Sequence, residues 1–248
     1  MTILQEITEA TFFMAMLAMM GAALFMVLQQ NRLPDRFKNV GSVSIVLLTI
    51  AGVSYYFMLQ TYQHEITAGT GKFPTHLRYV DWLLTTPLLL LEFPLLLGVG
   101  KKGGKFIKKL IIFDLLMIIF AYVAELNPTF PPVHFGFFLL SCICWLYIAF
   151  MMLMALQSLP PHVGPSLQRT LKFISMLFLL GWAVYPLGFL TPLLQIAPDI
   201  RELCYNIADV INKVGPAIAI YLAARGTQAE EEEAAYAELE EEELLEGH

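Results

Sequence analysis

The chain has 248 residues, 57% of them hydrophobic and 15% charged, with a mean hydropathy of +0.64. A soluble chain carries about 25% charged residues, so the composition excludes a pair of soluble domains and points to one polytopic membrane domain. The net charge of −6 misleads: ten of the 21 acidic residues lie in the final stretch EEEEAAYAELEEEELLE, leaving 15 basic against 11 acidic residues elsewhere.

Seven apolar segments are expected, at about 8–30, 41–62, 76–98, 106–126, 133–157, 168–191 and 200–224. The fold class they imply is all-α, a bundle of seven transmembrane helices. The first run follows almost no basic residues and is long enough to remain a span, so no cleavable signal peptide is expected. The connections NRLPDRFKN, QHEITAGTGKFPT, KKGGK, NPTFPP, SLPPHVGPS and TPLLQIAPD are rich in Pro, Gly or charge. Within the second, TAGTGKF has the composition of a short β-hairpin. Residues 1–226 form the membrane domain, and 227–248 an acidic, solvated and flexible tail. Cys142, Cys144 and Cys204 lie in or beside apolar runs with neither disulfide nor metal spacing, so no metal site is expected. No nucleic-acid partner is expected either.

Basic residues set the orientation. Arg32, Arg36, Lys38, Lys101, Lys102, Lys105, Lys108, Lys109, Arg169, Lys172 and Arg225 fall on one side; Lys72 and Arg201 fall on the other. The positive-inside rule places the N-terminus outside and the acidic tail in the cytoplasm. The bilayer expected is the cell membrane.

Span three carries RYVDWLLTTPLLLLE. At about 100° per residue, Arg78, Asp81, Thr85 and Glu92 fall within a stripe roughly 60° wide. Asp81 and Glu92 are separated by about 16 Å of helical rise, half the hydrocarbon thickness. Ionisable groups at that depth mark ion or proton paths. In span seven, Asp209 and Lys213 share a face four residues apart. A lysine there must pair, lose its proton or be covalently modified; a structural salt bridge and a covalent attachment both fit the spacing. In span six, Trp182, Tyr185, Pro186 and Phe189 form a stripe that suits either core packing or, together with Trp82, the walls of a flat apolar ligand site. Pro186 should kink its helix.

RYVDWLLTTPLLLLE, WAVYP and DVINKVG, each in its proper span, resemble the microbial rhodopsins, and the resemblance covers essentially the whole chain. It implies all-trans retinal carried on Lys213 as a protonated Schiff base. Asp81 then matches the primary counterion and proton acceptor, Asp209 the second counterion, and Glu92 the proton donor. Thr85 matches the residue that hydrogen-bonds the acceptor, and Arg78 the switch toward the extracellular side. Trp82, Trp182 and Tyr185, with Thr86, Leu89, Pro186 and Phe189, match the retinal pocket. Leu89 occupies the position that favours green over blue absorption. Tyr56, ahead of Tyr55, matches the tyrosine that supports the second counterion. Asp114 and Thr86 match a structural pair linking spans three and four.

The Asp–Thr–Glu trio is similar to that of proteorhodopsin-like outward proton pumps. A sensory protein, a light-gated channel and, more remotely, a retinal-free seven-helix receptor or carrier are the alternatives. The resemblance implies a homo-oligomer, trimer or pentamer, in the lipid bilayer, with protons as cargo. Two departures stand out. The span-two histidine of proteorhodopsins has no counterpart here, Tyr55 falling at its position, and Glu202 beside Arg201 does not reproduce a paired-glutamate release group. Phe138 falls where carotenoid-binding relatives have glycine, which argues against an antenna. Glu92, set among leucines, holds its proton in the resting state, because an ion there lacks a compensating charge.

Overall fold

The computed structural model describes residues 1–69, 73–98, 103–159 and 163–246. Among the described residues the chain is entirely helical, with no strand. The hairpin expected in TAGTGKF involves residues 70–72, which lie outside the described residues, as do Lys72, Lys101 and Lys102 of the charge count.

The helices are α1 (Ile3–Gln29), α2 (Asp35–Thr67), α3 (His76–Leu96), α4 (Gly104–Glu125), α5 (Pro131–Gln157), α6 (Pro165–Met176), α7 (Val184–Phe189) and α8 (Pro198–Glu246). Their starts are written locally. Thr2 and Gln5 form a reciprocal capping box on α1. Proline opens α5, α6 and α8, where its missing N–H costs nothing. Successive helices pack on one another, and α8 closes the ring against α1, α2 and α6. α3 is the most enclosed of the long apolar helices and α5 the least, which puts the charged stripe at the bundle's centre.

Among the described residues, six helical segments are long and apolar enough to cross a membrane. α4 is the seventh span; it is as apolar as its neighbours, and what sets it apart from those six is the charge of Lys105, Lys108, Lys109 and Asp114. The sixth span is composite. α6 passes through a π-helical turn, Leu177–Gly181, into α7. There the Trp182 N–H reaches back to Leu177 O at 3.0 Å, five residues away. The Trp145 indole N–H donates to Phe178 O at 2.8 Å, satisfying a carbonyl within the wider turn. The break in the α-helical pattern of this span falls at the π turn ahead of Pro186. α8, with 49 residues, is about 74 Å long. That is more than twice a hydrocarbon core of about 30 Å, so its acidic end projects well past the membrane as helix.

Candidate functional site

α3 and α8 each present one buried charged face, and the two faces meet. The Lys213 ammonium pairs closely with Asp81 Oδ2 and lies 3.2 Å from Asp209 Oδ2. All three side chains are buried. The two carboxylates differ in their remaining partners. Asp209 Oδ2 also accepts from the Tyr55 hydroxyl at 2.9 Å. Its Oδ1 accepts from Tyr185 at 2.5 Å and from the Trp82 indole at 3.3 Å. Four donors therefore occupy the roughly four acceptor positions of that carboxylate. Asp81 Oδ1 is buried and makes no hydrogen bond among the described residues, with the Ser54 side chain close by.

Tyr55, not Tyr56, supports Asp209. Tyr56 is 48% exposed on the outer face of α2, whereas Tyr55 is fully enclosed. The two positions are about 100° apart on the helix, so they cannot share a face. The buried residues Val40, Ser44, Leu47, Leu48, Ala51 and Tyr55 follow one helical stripe, the signal that selects correctly between the adjacent tyrosines. The Tyr55 hydroxyl is engaged with Asp209 and Arg78, and Ser54 is the α2 side chain beside the Asp81 carboxylate. Tyr55→Phe should lower thermal stability by about 1–2 kcal/mol through the lost hydrogen bond to a buried carboxylate. Tyr56→Phe should stay within about 0.5 kcal/mol of the parent. Parallel melting curves check this; equal effects would contradict the assignment.

Thr85 reaches Asp81 at its main chain. Its hydroxyl donates at 2.8 Å to Asp81 O, one turn back, and not to the carboxylate. Arg78 turns away from Asp81. It donates to Glu202 Oε2 at 2.7 Å, to Asn206 Oδ1 at 2.6 Å and to the Tyr55 oxygen at 3.2 Å. Glu202 also pairs with Arg201 at 3.2 Å, and Arg201 continues to Glu125 at 3.2 Å and Thr75 at 2.8 Å. A chain of alternating charges thus leads from the Lys213 cluster to the start of α8. Asn206 extends it to Thr11 of α1 at 2.9 Å.

Glu92 sits toward the other end of α3. Ser44 of α2 donates to its Oε1 at 2.6 Å, and Oε2 is buried without a partner. Ser44 carries no charge to single it out in the sequence, yet it lies on the same buried α2 stripe as Tyr55. The Thr86 hydroxyl donates to Asp114 Oδ2 at 2.9 Å, joining α3 to α4 as expected.

A mostly apolar cavity ends at Lys213. Trp82, Thr86, Leu89, Trp182, Tyr185, Pro186 and Phe189 line it together with Met117, Ile118 and Trp145, so every expected pocket residue of α3, the π turn and α7 reaches it. Phe138 also lines it, its ring stacked on Phe189 at 4.6 Å and 7°. A family model described as bacteriorhodopsin-like protein matches residues 6–226. The chain belongs to the bacteriorhodopsin-like family. It is therefore an integral, multi-pass membrane protein, and retinal is the chromophore of its family. The cavity fits that group: its walls are aromatic and aliphatic, and a primary amine stands at its end.

Among relatives, the green-light absorbing proteorhodopsin of Gamma-proteobacterium EBAC31A08 is 29% identical over 217 residues, 84% of this chain and 83% of that protein. Exiguobacterium sibiricum rhodopsin superposes with a TM-score of 0.79 at 30% identity, covering 90% of this chain and 97% of that one. Xanthorhodopsin, described as a light-driven ion pump with dual chromophore, gives 0.82 at 26% identity, covering 92% and 96%. These neighbours are seven-helix microbial rhodopsins, and the described residues of this chain make seven spans when α6, the π turn and α7 are taken as one.

Proposed function

We propose that this protein is a light-driven outward proton pump in which Lys213 carries retinal, Asp81 accepts the proton and Glu92 replaces it. The inequality of the two carboxylates beside Lys213 supports the reading best. Asp209 has its acceptor positions filled by four donors, whereas Asp81 Oδ1 makes no hydrogen bond among the described residues and can take a proton. Lys213 would hold retinal, which when bound would supply a photoisomerisation that re-aims the N–H at that nitrogen. Asp81 takes that proton. Asp209, Tyr55, Tyr185 and Arg78 keep a fixed negative charge beside the nitrogen throughout, compensating a buried cation that could not exist alone. The Arg78–Glu202–Arg201 chain provides the way out. Glu92, hydrogen-bonded among the described residues by Ser44, holds a proton on the opposite side and delivers it to the nitrogen afterwards. Direction follows from placing acceptor and donor on opposite sides of one switching group. The excess of basic residues at the Glu92 end assigns that end to the cytoplasm.

Glu92→Gln tests the reading. It leaves the resting pigment intact but removes the internal proton source, so reprotonation of the Lys213 nitrogen should slow by about 10²-fold. Added azide, a diffusible proton carrier, should restore the rate. Flash absorption kinetics read both effects, and an unchanged rate would remove Glu92 from the path. Ser44→Ala should change the rate in the same assay by a smaller factor, because it leaves the carboxyl itself in place.

A further inference from the structure

The acidic extension of α8 does not simply leave the bundle; its first glutamate returns to cap another span. α6 begins Gly164-Pro165-Ser166, with no side-chain cap from its own sequence. Pro165 has no N–H, so Ser166 supplies the first free backbone donor. Glu230 Oε1 accepts from Ser166 N at 2.9 Å and from Ser166 Oγ at 2.7 Å. A carboxylate there also suits the positive end of the α6 dipole.

The fit is close on both sides. A Cβ on Gly164 would stand 2.2 Å from Glu230 Oε2, and one on Gly226 would stand 2.3 Å from Ser166 Oγ. Arg36 at the start of α2 reaches the same segment, 3.5 Å from Thr227 Oγ1 and 4.0 Å from Glu231 Oε1. One turn deeper, Thr170 Oγ1 donates to Ala219 O at 3.2 Å, again joining α6 to α8. Below these contacts α6 inserts Leu171 and Ile174, both fully buried, into the core of the Glu92 end. Glu92 itself is fully buried. Protons that refill Glu92 from this end have to pass its apolar packing, and the α6–α8 seam that Glu230 fastens is part of that packing.

We propose that Glu230 is a positioning residue that clasps the start of α6 to α8 and so sets how fast protons enter toward Glu92. The proposal rests on the donor role given to Glu92 above. It also lies beyond the part of the chain that the family model matches, which ends at residue 226.

The test uses the retinal-loaded full-length protein, its visible colour reporting that each variant is folded. Glu230→Ala removes both hydrogen bonds and should speed refilling, read as nitrogen reprotonation after a flash, by about tenfold. Amide exchange across the first turn of α6 should rise in the dark. Glu230→Gln keeps an acceptor oxygen and should retain most of the parent rate and protection. Stopping the chain after Ala229 should reproduce Glu230→Ala. Stopping it after Ala235, which removes six glutamates but spares Glu230, should match the parent.

A parent-like rate in both Glu230→Ala and the Ala229 truncation would overturn the proposal, whatever amide exchange shows. Equal acceleration by the two truncations would also overturn it, since bulk charge would then be the cause. Failure of the donor role is separate: Glu92→Gln would leave reprotonation unslowed, while dark exchange in Glu230→Ala would still report whether the clasp exists.

Discussion

Lys213→Ala is expected to yield a protein that stays colourless when grown with retinal. The cavity would keep its Trp82, Trp182 and Tyr185 walls, so retinal could still enter, but no amine would remain at its end. The loss should be complete. The substitution also leaves Asp81 and Asp209 buried without the cation they share, which costs about 3–5 kcal/mol for a broken buried pair. A colourless product could therefore reflect poor folding, and a control separates the two causes. Retinal condensed beforehand with a small primary amine brings its own nitrogen to the vacated space. If the bundle is intact, that compound should restore a visible band. A retinal-dependent band in Lys213→Ala without the added amine would remove Lys213 from its role.

Asp81→Asn should abolish light-driven proton export, at least about 10²-fold below the parent. The amide keeps the size of the side chain and loses the group that can take a proton. Asp209 cannot substitute, because its oxygens are occupied by Tyr55, Tyr185, Trp82 and Lys213. The same change should shift absorption to the red. An anion beside the nitrogen stabilises the ground state, in which positive charge sits there, more than the excited state, in which it has moved along the chromophore. Removing one of two anions narrows the gap by a fraction of the few kcal/mol by which neighbouring charges interact at about 4 Å. A spectrophotometer and a pH electrode check both effects. Export that continues in Asp81→Asn would place the acceptor elsewhere.

Much of this arrangement is written along single helices. The stripe Arg78, Asp81, Thr85 and Glu92 needs one periodicity, as does the Asp209–Lys213 pair, and both are buried and facing in the structure. Apolar run length was enough even for α4, which carries three lysines and Asp114. Contacts between helices were harder to read. Two adjacent tyrosines in α2 offered the same chemistry, and only the full buried stripe through Ser44 and Ala51 selects Tyr55. Arg78 could have faced Asp81 one turn away, yet Glu202 and Asn206 of α8, 124 and 128 residues along the chain, hold it instead. Thr85 chose its own helix backbone, a local competitor always within reach of a threonine hydroxyl. Pro186 announced a break, but the π turn ahead of it depends on Trp145 from another helix. The acidic tail's composition suggested a solvated appendage and said nothing of Glu230 reaching α6.

The most direct measurement is the pH of an unbuffered suspension of retinal-loaded cells under illumination, with and without a protonophore. Outward pumping predicts acidification of the medium in the light, reversal in the dark and loss of the signal when the protonophore short-circuits the membrane. Alkalinisation on illumination, or no change from cells that carry the coloured pigment, would contradict it.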